Sequence, residues 1–232
     1  LEKAHRKTHP VSPGIQKDID LAHQEEFELY HNPLSLCSMK TRVCMAELQV
    51  AYKGHAIDLI ETGSYETLSR RFLAVNPAGT VPVLVHRGHP IYESHEQIRY
   101  AAAHAPPGSP SLVPADPELK EEMERWIDLS SITGDPIRYP ERSIGNAVPR
   151  LTLQIFAAMI EEIPYRNIIE GLLFHFDKRR PVLFLMLKAR GLERIHTLKP
   201  MIRALAVGRK HVNAHLDTLE TQLAETGGPW IL

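Results

Sequence analysis

The stretch Asn76–Tyr100, NPAGTVPVLVHRGHPIYESHEQIRY, decides the fold. Pro77 and Gly79 cannot continue a helix, so "NPAG" ends the helical pattern before it. The apolar runs "VPVLV" and "PIY" flank "HRGH", and Gly88 at that turn predicts a β-hairpin. A helix follows over "SHEQIRYAAAHA", with Ser94 expected as its cap. Pro82 follows a β-branched residue at the start of a strand, a place that suits a cis peptide bond and turns the Val81 backbone outward.

Upstream, "SYETLSRRFLAV" reads as the helix that "NPAG" ends, and "HAIDLI" as a short strand before it. "SMKTRVCMAELQVAY" sets Met39, Val43, Cys44, Met45, Leu48 and Val50 near a helical stripe, with Ser38 available as its cap. "FELYH", running into "NP", is a strand followed by a turn. The predicted order over residues 27–104 is β-α-β-α-β-β-α, opened by a right-handed strand–helix–strand unit. Residues 1–26 are polar and read as an extended arm before the fold. Downstream, "APPGSPSLVPADP", residues 105–117, is too rich in proline and glycine for regular structure and reads as a linker. Beyond it strand alternation stops. "ELKEEMERWIDLSS", "PRLTLQIFAAMIEE", "RNIIEGLLFHFDKR" and "RKHVNAHLDTLETQLAE" are helical patterns, so residues 118–232 are expected to form an all-α domain.

With 232 residues, 43% of them hydrophobic and 24% charged, the chain can build one large or two modest domains with their own cores. A formal net charge of -1 gives no global electrostatic case for a nucleic-acid partner. No run approaches the ~18 apolar residues of a membrane span, so no stable membrane insertion is expected. The polar first residues are not a secretory signal. Two cysteines without periodic spacing point to a reducing compartment, read as cytoplasmic.

On one helix Cys37 and Cys44 would lie roughly 10 Å apart, beyond the ~7 Å that a disulfide allows. Two cysteines alone do not make a zinc site. His211 and His215 in "HVNAH" share a helical face but lack the Glu of HExxH and a third ligand, so no metal is expected. The basic stretch of residues 176–210, with its apolar blocks, reads as a helix pair with a solvated basic face; an acidic membrane surface is the alternative.

The element order, the proline-rich linker and the helical second half resemble the cytosolic glutathione transferase superfamily. "NPAGTVPVL" is similar to that family's N-P-x-G-x-V-P stretch, and "PIYESHEQIRY" to its strand followed by E-S-x-x-I-x-x-Y. "LDTLETQLAETGGPWIL" is similar to its long helix leading to a G-P-W-hydrophobic turn. "SLCSMKTR" is similar to the zeta-class S-S-C-S-x-x-x-R, and closer to the S-x-C-S-M-K-T-R of the tetrachlorohydroquinone reductive dehalogenases. The resemblance runs from Phe27 to about Leu119 and resumes from His211 to Leu232; between them only helical character is shared. It implies an α/β thioredoxin-like N-terminal domain, an all-α C-terminal domain that binds a small hydrophobic electrophile, glutathione as co-substrate, a detoxifying activity and a homodimer. It also implies a further helix and tail after "GGPWIL", so the helical domain is expected to be incomplete.

A thiol with a pKa of about 8.5 is mostly protonated at neutral pH, so glutathione chemistry needs a site that stabilises the thiolate. The helix entrance after Leu36 offers backbone N–H groups and a positive dipole end. Ser35 can donate its hydroxyl hydrogen to the sulfur, and the resemblance makes it the matching catalytic hydroxyl. Cys37 stands at the same entrance. By resemblance to the dehalogenases it would attack a glutathionyl adduct, giving a mixed disulfide that a second glutathione resolves; otherwise it lines the site. Cys44 reads as core packing.

The resemblance sets the Val81 backbone, ahead of Pro82, against the cysteinyl part of glutathione. It sets Glu93 opposite the γ-glutamyl ammonium and Ser94 opposite the carboxylate; an ordinary helix cap is the alternative. Thr80 is expected beside Val81 and Pro82 among the glutathione-binding residues, although family members often carry Lys or Gln there, so one tripeptide contact departs from the family pattern. Arg70 or Arg71 could reach the glycine carboxylate, against a reading of both as solvated helix charges. Three functions follow: a transferase acting on a hydrophobic electrophile, a reductive dehalogenase or thiol-exchange enzyme using Cys37, and a non-catalytic transferase-like binding module. Substrate choice is expected in residues 134–209.

Overall fold

The computed structural model describes residues 8–59, 64–136, 138–191 and 199–228. The end of "HAIDLI" at Ile60, residues 192–198 of the basic stretch, and the "PWIL" of the expected turn after the last helix lie outside the described residues.

Five strands form one sheet: β1 (Gly14–Ile15), β2 (Phe27–His31), β3 (Lys53–Ala56), β4 (Val83–His86) and β5 (His89–Tyr92), in the spatial order β1-β5-β4-β2-β3. β2 and β3 run parallel with α1 (Leu36–Glu47) crossing between them, as the strand–helix–strand reading predicts. β4 and β5 form the predicted hairpin, closing at His86 opposite His89. Arg87 (φ 49°) and Gly88 (φ 83°) are both left-handed, which a two-residue turn between twisted strands demands. The arm is more than a lead-in. Gly14 and Ile15 pair antiparallel with Tyr92 and Ile91, and the Leu21 N–H donates to the Gly88 carbonyl at 2.7 Å. A two-residue edge strand carries no readable alternation, which is why the sequence shows only a polar tail.

Alternating residues of the hairpin feed two cores. Leu84 and Ile91 pack with Leu29, Met45, Leu48 and Ala101, while Val83, Val85 and Tyr92 pack with Ile57 and Phe72. α1 starts earlier than its sequence stripe, with Ser35 rather than Ser38 as its N-cap. Its inward face is Ser38, Thr41 and Met45, and Met39 and Val43 of the expected stripe are exposed. The helix expected over "SYETLSRRFLAV" is instead a 3-10 turn, Glu66–Leu68, followed by the four-residue α2 (Arg70–Leu73), because Ser69 caps a fresh start by accepting from Phe72 N. α3 (Ser94–Ala103) has Glu93 rather than Ser94 at its N-cap position, and the Glu93 side chain makes no capping hydrogen bond.

The remaining helices are α4 (Pro117–Ser130), α5 (Ile144–Met159), α6 (Tyr165–Phe174), α7 (Arg179–Arg190) and α8 (Lys199–Thr226). The described residues fall into two compact units, one from Leu1–Leu112 and Met159–Ala189, the other from Val113–Ala158 and Arg190–Leu232. α6 and most of α7 therefore group with the sheet, not with the helices after the linker. Two contacts show how: His175 Nε2 lies 3.0 Å from the Ala78 carbonyl, and Arg180 donates to the Gly79 carbonyl at 3.1 Å. The second unit is all helical. Among the described residues no helix is long and apolar enough to cross a membrane.

Candidate functional site

The entrance of α1 is held by Asn32, which is buried. Its Oδ1 accepts from the N–H groups of Leu34 (2.9 Å) and Ser35 (3.2 Å), and its Nδ2 donates to the Ile57 carbonyl beyond β3. One side chain thus fixes the loop that carries Ser35. Ser35 Oγ accepts from Ser38 N at 3.3 Å as the N-cap. A hydroxyl that accepts this bond still has its own hydrogen to donate, so capping and thiolate binding are compatible. Cys37 lies exposed on the first turn. Cys44 is half-buried, and burial pushes its thiol up against the pull of the Lys40 ammonium.

The second wall is the turn before β4. Asn76 is buried and donates to the Thr80 carbonyl (2.8 Å) and hydroxyl (3.1 Å) while accepting from Ala78 N. The exposed Thr80 is thereby tied to its own turn. The Val81–Pro82 bond is cis. Among the described residues no hydrogen bond engages the Val81 N–H or carbonyl, which leaves one donor and one acceptor on the rim of the sheet.

The third wall is the start of α3. Glu93 is exposed and sits at φ 67°, ψ 124°, a backbone state that costs a non-glycine residue about 1–3 kcal/mol and clusters at ligand sites. Ser94 follows and is buried.

Gln97 joins the three walls. It is wholly buried; its Nε2 donates to the Pro82 carbonyl at 2.8 Å and the Ile91 carbonyl at 2.9 Å, and its Oε1 faces the Thr41 hydroxyl of α1 at 3.3 Å. Three elements distant in sequence are locked by one amide. Sequence reasoning missed Gln97, Thr41, Asn32 and Asn76. A signal existed for two of them: Ser94, Gln97 and Ala101 share the inward face of α3, and Ser38, Thr41 and Met45 that of α1, so polar residues stand where core is expected.

The structure thus brings Ser35, Cys37, Val81, Pro82, Glu93 and Ser94 to the ends of elements that these bonds tie together. Arg70 and Arg71 lie elsewhere, in an open pocket of α2 and α6 with Arg166, Glu170 and Phe174. Arg70 stands over the Phe174 ring and its backbone N–H donates to Glu170. In the second unit α4, α5 and α8 enclose an apolar cavity of about 410 Å³ lined by Met123, Trp126, Ile127, Ile144 and Leu219, with His215 in its wall. Among the described residues no group of three or more His, Cys, Asp or Glu side chains could hold a metal ion.

A mixed sheet of this order, with a helix entrance and a cis-proline turn at its edge, defines a thioredoxin-like α/β domain, and a helical unit accompanies it. Residues 34–104 match the N-terminal domain of the glutathione S-transferases. It is 35% identical over 96 residues to glutathione S-transferase U24 of Arabidopsis thaliana, a match covering 41% of each chain. It is 29% identical over 126 residues to the tetrachloro-p-hydroquinone reductive dehalogenase of Sphingobium chlorophenolicum, covering 54% of this chain and 47% of that one. The matched stretches thus span less than half of these relatives. The fold is similar to that of the β-etherase LigF of Sphingobium sp. strain SYK-6, with a TM-score of 0.65 and 19% identity over 86% of this chain and 74% of that one.

Proposed function

We propose that the chain binds glutathione at the three-walled site and activates its thiol for attack on a small hydrophobic electrophile. The observation that carries this reading is the Gln97 lock, which holds together a hydroxyl donor at a helix entrance, an unpaired backbone donor and acceptor at Val81, and an exposed carboxylate at Glu93. Each matches one part of the tripeptide: the sulfur, the cysteinyl backbone and the γ-glutamyl ammonium. Ser35 and the first-turn N–H groups stabilise the thiolate, so its lone pair attacks while its proton leaves to solvent. The electrophile brings apolar area. The cavity of the helical unit has the size and lining of a small-molecule site, which supports a hydrophobic co-substrate. A homodimer, a cytoplasmic setting and a detoxifying role belong to the same reading.

The exposure of Cys37 on the first turn favours a second reading, glutathione-dependent reductive dehalogenation. Here the Cys37 thiolate attacks the sulfur of an aryl–glutathione thioether. The new S–S bond forms as the C–S bond breaks, and the aryl carbon leaves with the electron pair and takes a proton. A second glutathione thiolate then releases Cys37 as oxidised glutathione departs.

Calorimetric titration of glutathione into the wild type and Glu93→Ala tests the shared step. Saturable binding that the substitution weakens supports it, and no heat at millimolar glutathione refutes it. Loss of turnover in Cys37→Ser with Ser35→Ala nearly silent selects the second reading. Tight binding with no turnover of any electrophile selects a non-catalytic binding module.

A further inference from the structure

The Val81 peptide lies between two grips. On the strand side Gln97 holds the Pro82 carbonyl at 2.8 Å. On the other side Asn76 shapes the turn from within, through the Thr80 carbonyl and the Ala78 N–H. Bonds inside a turn set its shape but leave it able to swing as a body. The outer grip has to come from another element, and it comes from the segment between α6 and α7 and the first turn of α7. His175 reaches the Ala78 carbonyl through Nε2 at 3.0 Å, and Arg180 donates to the Gly79 carbonyl at 3.1 Å. Two consecutive carbonyls just ahead of Val81 are thus held from outside.

His175 is only 3% exposed, and the Phe176 ring stacks on it at 4.8 Å. A carbonyl only accepts, so Nε2 carries the hydrogen of the bond to Ala78. Nδ1 faces the Asp177 backbone, 3.0 Å from its nitrogen and 2.7 Å from its carbonyl oxygen, and so has a partner whether or not it is protonated. The ring also leaves the turn no slack. A Cβ at Gly79 would stand 3.3 Å from Nε2 and Cδ2 of His175 and 3.0 Å from the Thr67 carbonyl oxygen. The N-terminal arm braces the segment in turn. The Thr8 N–H donates to the Phe174 carbonyl at 2.7 Å, and the Thr8 hydroxyl accepts from the Phe176 N–H at 3.0 Å, one bond on each side of His175. An apolar side chain would fill the same space, but only a directional donor fixes where the Ala78 carbonyl points.

We propose that His175 is a positioning residue of the candidate site, fixing through the Ala78 carbonyl the peptide plane that Val81 offers to a ligand backbone. This rests on the reading that the site binds glutathione. With Gln97 holding one end of the turn and His175 the other, the orientation of the Val81 N–H and carbonyl between them is set before a ligand arrives. The segment after α6, and the arm behind it, thereby belong to the support of the site although neither reaches its rim.

The test separates the two ring nitrogens. Glutamine places an amide N–H near the position of Nε2, whereas asparagine places its amide near Nδ1 and falls short of Ala78. His175→Gln, His175→Asn and His175→Leu are compared with the wild type by glutathione calorimetry, and by amide hydrogen exchange of the peptide spanning residues 76–84 in the ligand-free protein. His175→Asn and His175→Leu are expected to weaken glutathione about fivefold and to speed exchange in that peptide by a similar factor. His175→Gln is expected to restore both to within about twofold of wild type. Where His175→Leu loses the circular dichroism of the wild type, the Gln and Asn pair decides. Equal weakening by Gln and Asn reduces His175 to packing and overturns the inference while the glutathione site stands. Unchanged glutathione binding in His175→Asn overturns it too, whatever the exchange of the turn. A wild type that binds no glutathione overturns the reading of the site and this inference with it.

Discussion

Replacing Gln97 by Leu keeps the volume of the side chain and removes its amide, so the experiment isolates the lock between the three walls. The carbonyls of Pro82 and Ile91 lose a donor inside the protein, at 2.8 and 2.9 Å respectively. The Thr41 hydroxyl loses an acceptor but keeps the Cys37 carbonyl at 3.2 Å. A buried polar group left without its partner costs about 1–3 kcal/mol. The Ile91 carbonyl keeps its ladder pairing with Leu84, so the stranded Pro82 carbonyl sets a loss of about 1–3 kcal/mol for the sheet unit, and Thr41 adds little. Tryptophan fluorescence is the wrong probe, since Trp126 belongs to the second unit and Trp230 lies outside the described residues. Amide hydrogen exchange read by mass spectrometry resolves the units separately. Peptides of β4 and α3 should exchange roughly five- to a hundredfold faster in Gln97→Leu, and peptides of α8 should be unchanged. Exchange within about threefold of wild type in β4 and α3 would refute the claim that Gln97 holds these elements.

Further predictions follow from the same bonds. Ser35→Gly and Ser35→Ala separate cap from catalyst: Gly costs the helix only a few tenths of a kcal/mol and Ala about 1, but if the hydroxyl serves the thiolate both lose conjugation activity alike, as an assay with a chromogenic electrophile would read. Gly145→Ala puts a Cβ within 2.5 Å of the Ser131 carbonyl oxygen, against backbone that cannot yield, and should cost the helical unit about 3 kcal/mol in urea unfolding followed by Trp126. Glu28 sets an acid limit. Burial alone would push its carboxyl up, but the Gln24 N–H, the His55 imidazole at 2.6 Å and the Glu25 N–H outweigh burial and hold it below the ordinary value. A folded value below the unfolded one means that this stability is present above about pH 4.3 and is lost as pH falls through the folded value. The urea midpoint of the sheet unit should therefore fall below that pH in the wild type and show a smaller acid step in Glu28→Gln.

The parts of the site made by backbone were legible because special backbone needs special residues. Gly88 announced the hairpin, and Val81–Pro82 with its neighbours announced the turn that ends at β4. Helix boundaries were less legible. Ser35 and Ser38 are chemically equal candidates for capping α1, and only the Asn32 side chain, which fixes the Ser35 N–H, decides for the former. At α3 the N-cap position falls to Glu93, whose positive φ no propensity would assign to it. The placement of α6 was hidden for a different reason: its apolar stripe is the same whether it packs on helices or on a sheet unit, and the partner is chosen by distant contacts such as His175 to Ala78.

Polar residues on inward helix faces mark the same limit from the other side. Periodicity treats Thr41 and Gln97 as faults in a stripe, and a rule that counts apolar positions lowers its score at each. In the folded chain they tie α1, α3 and the turn before β4 together through directional bonds. A purely apolar interface there would bury as much area yet leave the three walls free to slide, since hydrophobic contact is non-directional. A bond from one amide to two carbonyls of different elements fixes their mutual distance to a fraction of an ångström. Under the proposed function the site meets a sulfur, a peptide backbone and a zwitterionic head at once, which needs that fixity more than it needs stability, and the cost of burying an amide is the cost of obtaining it.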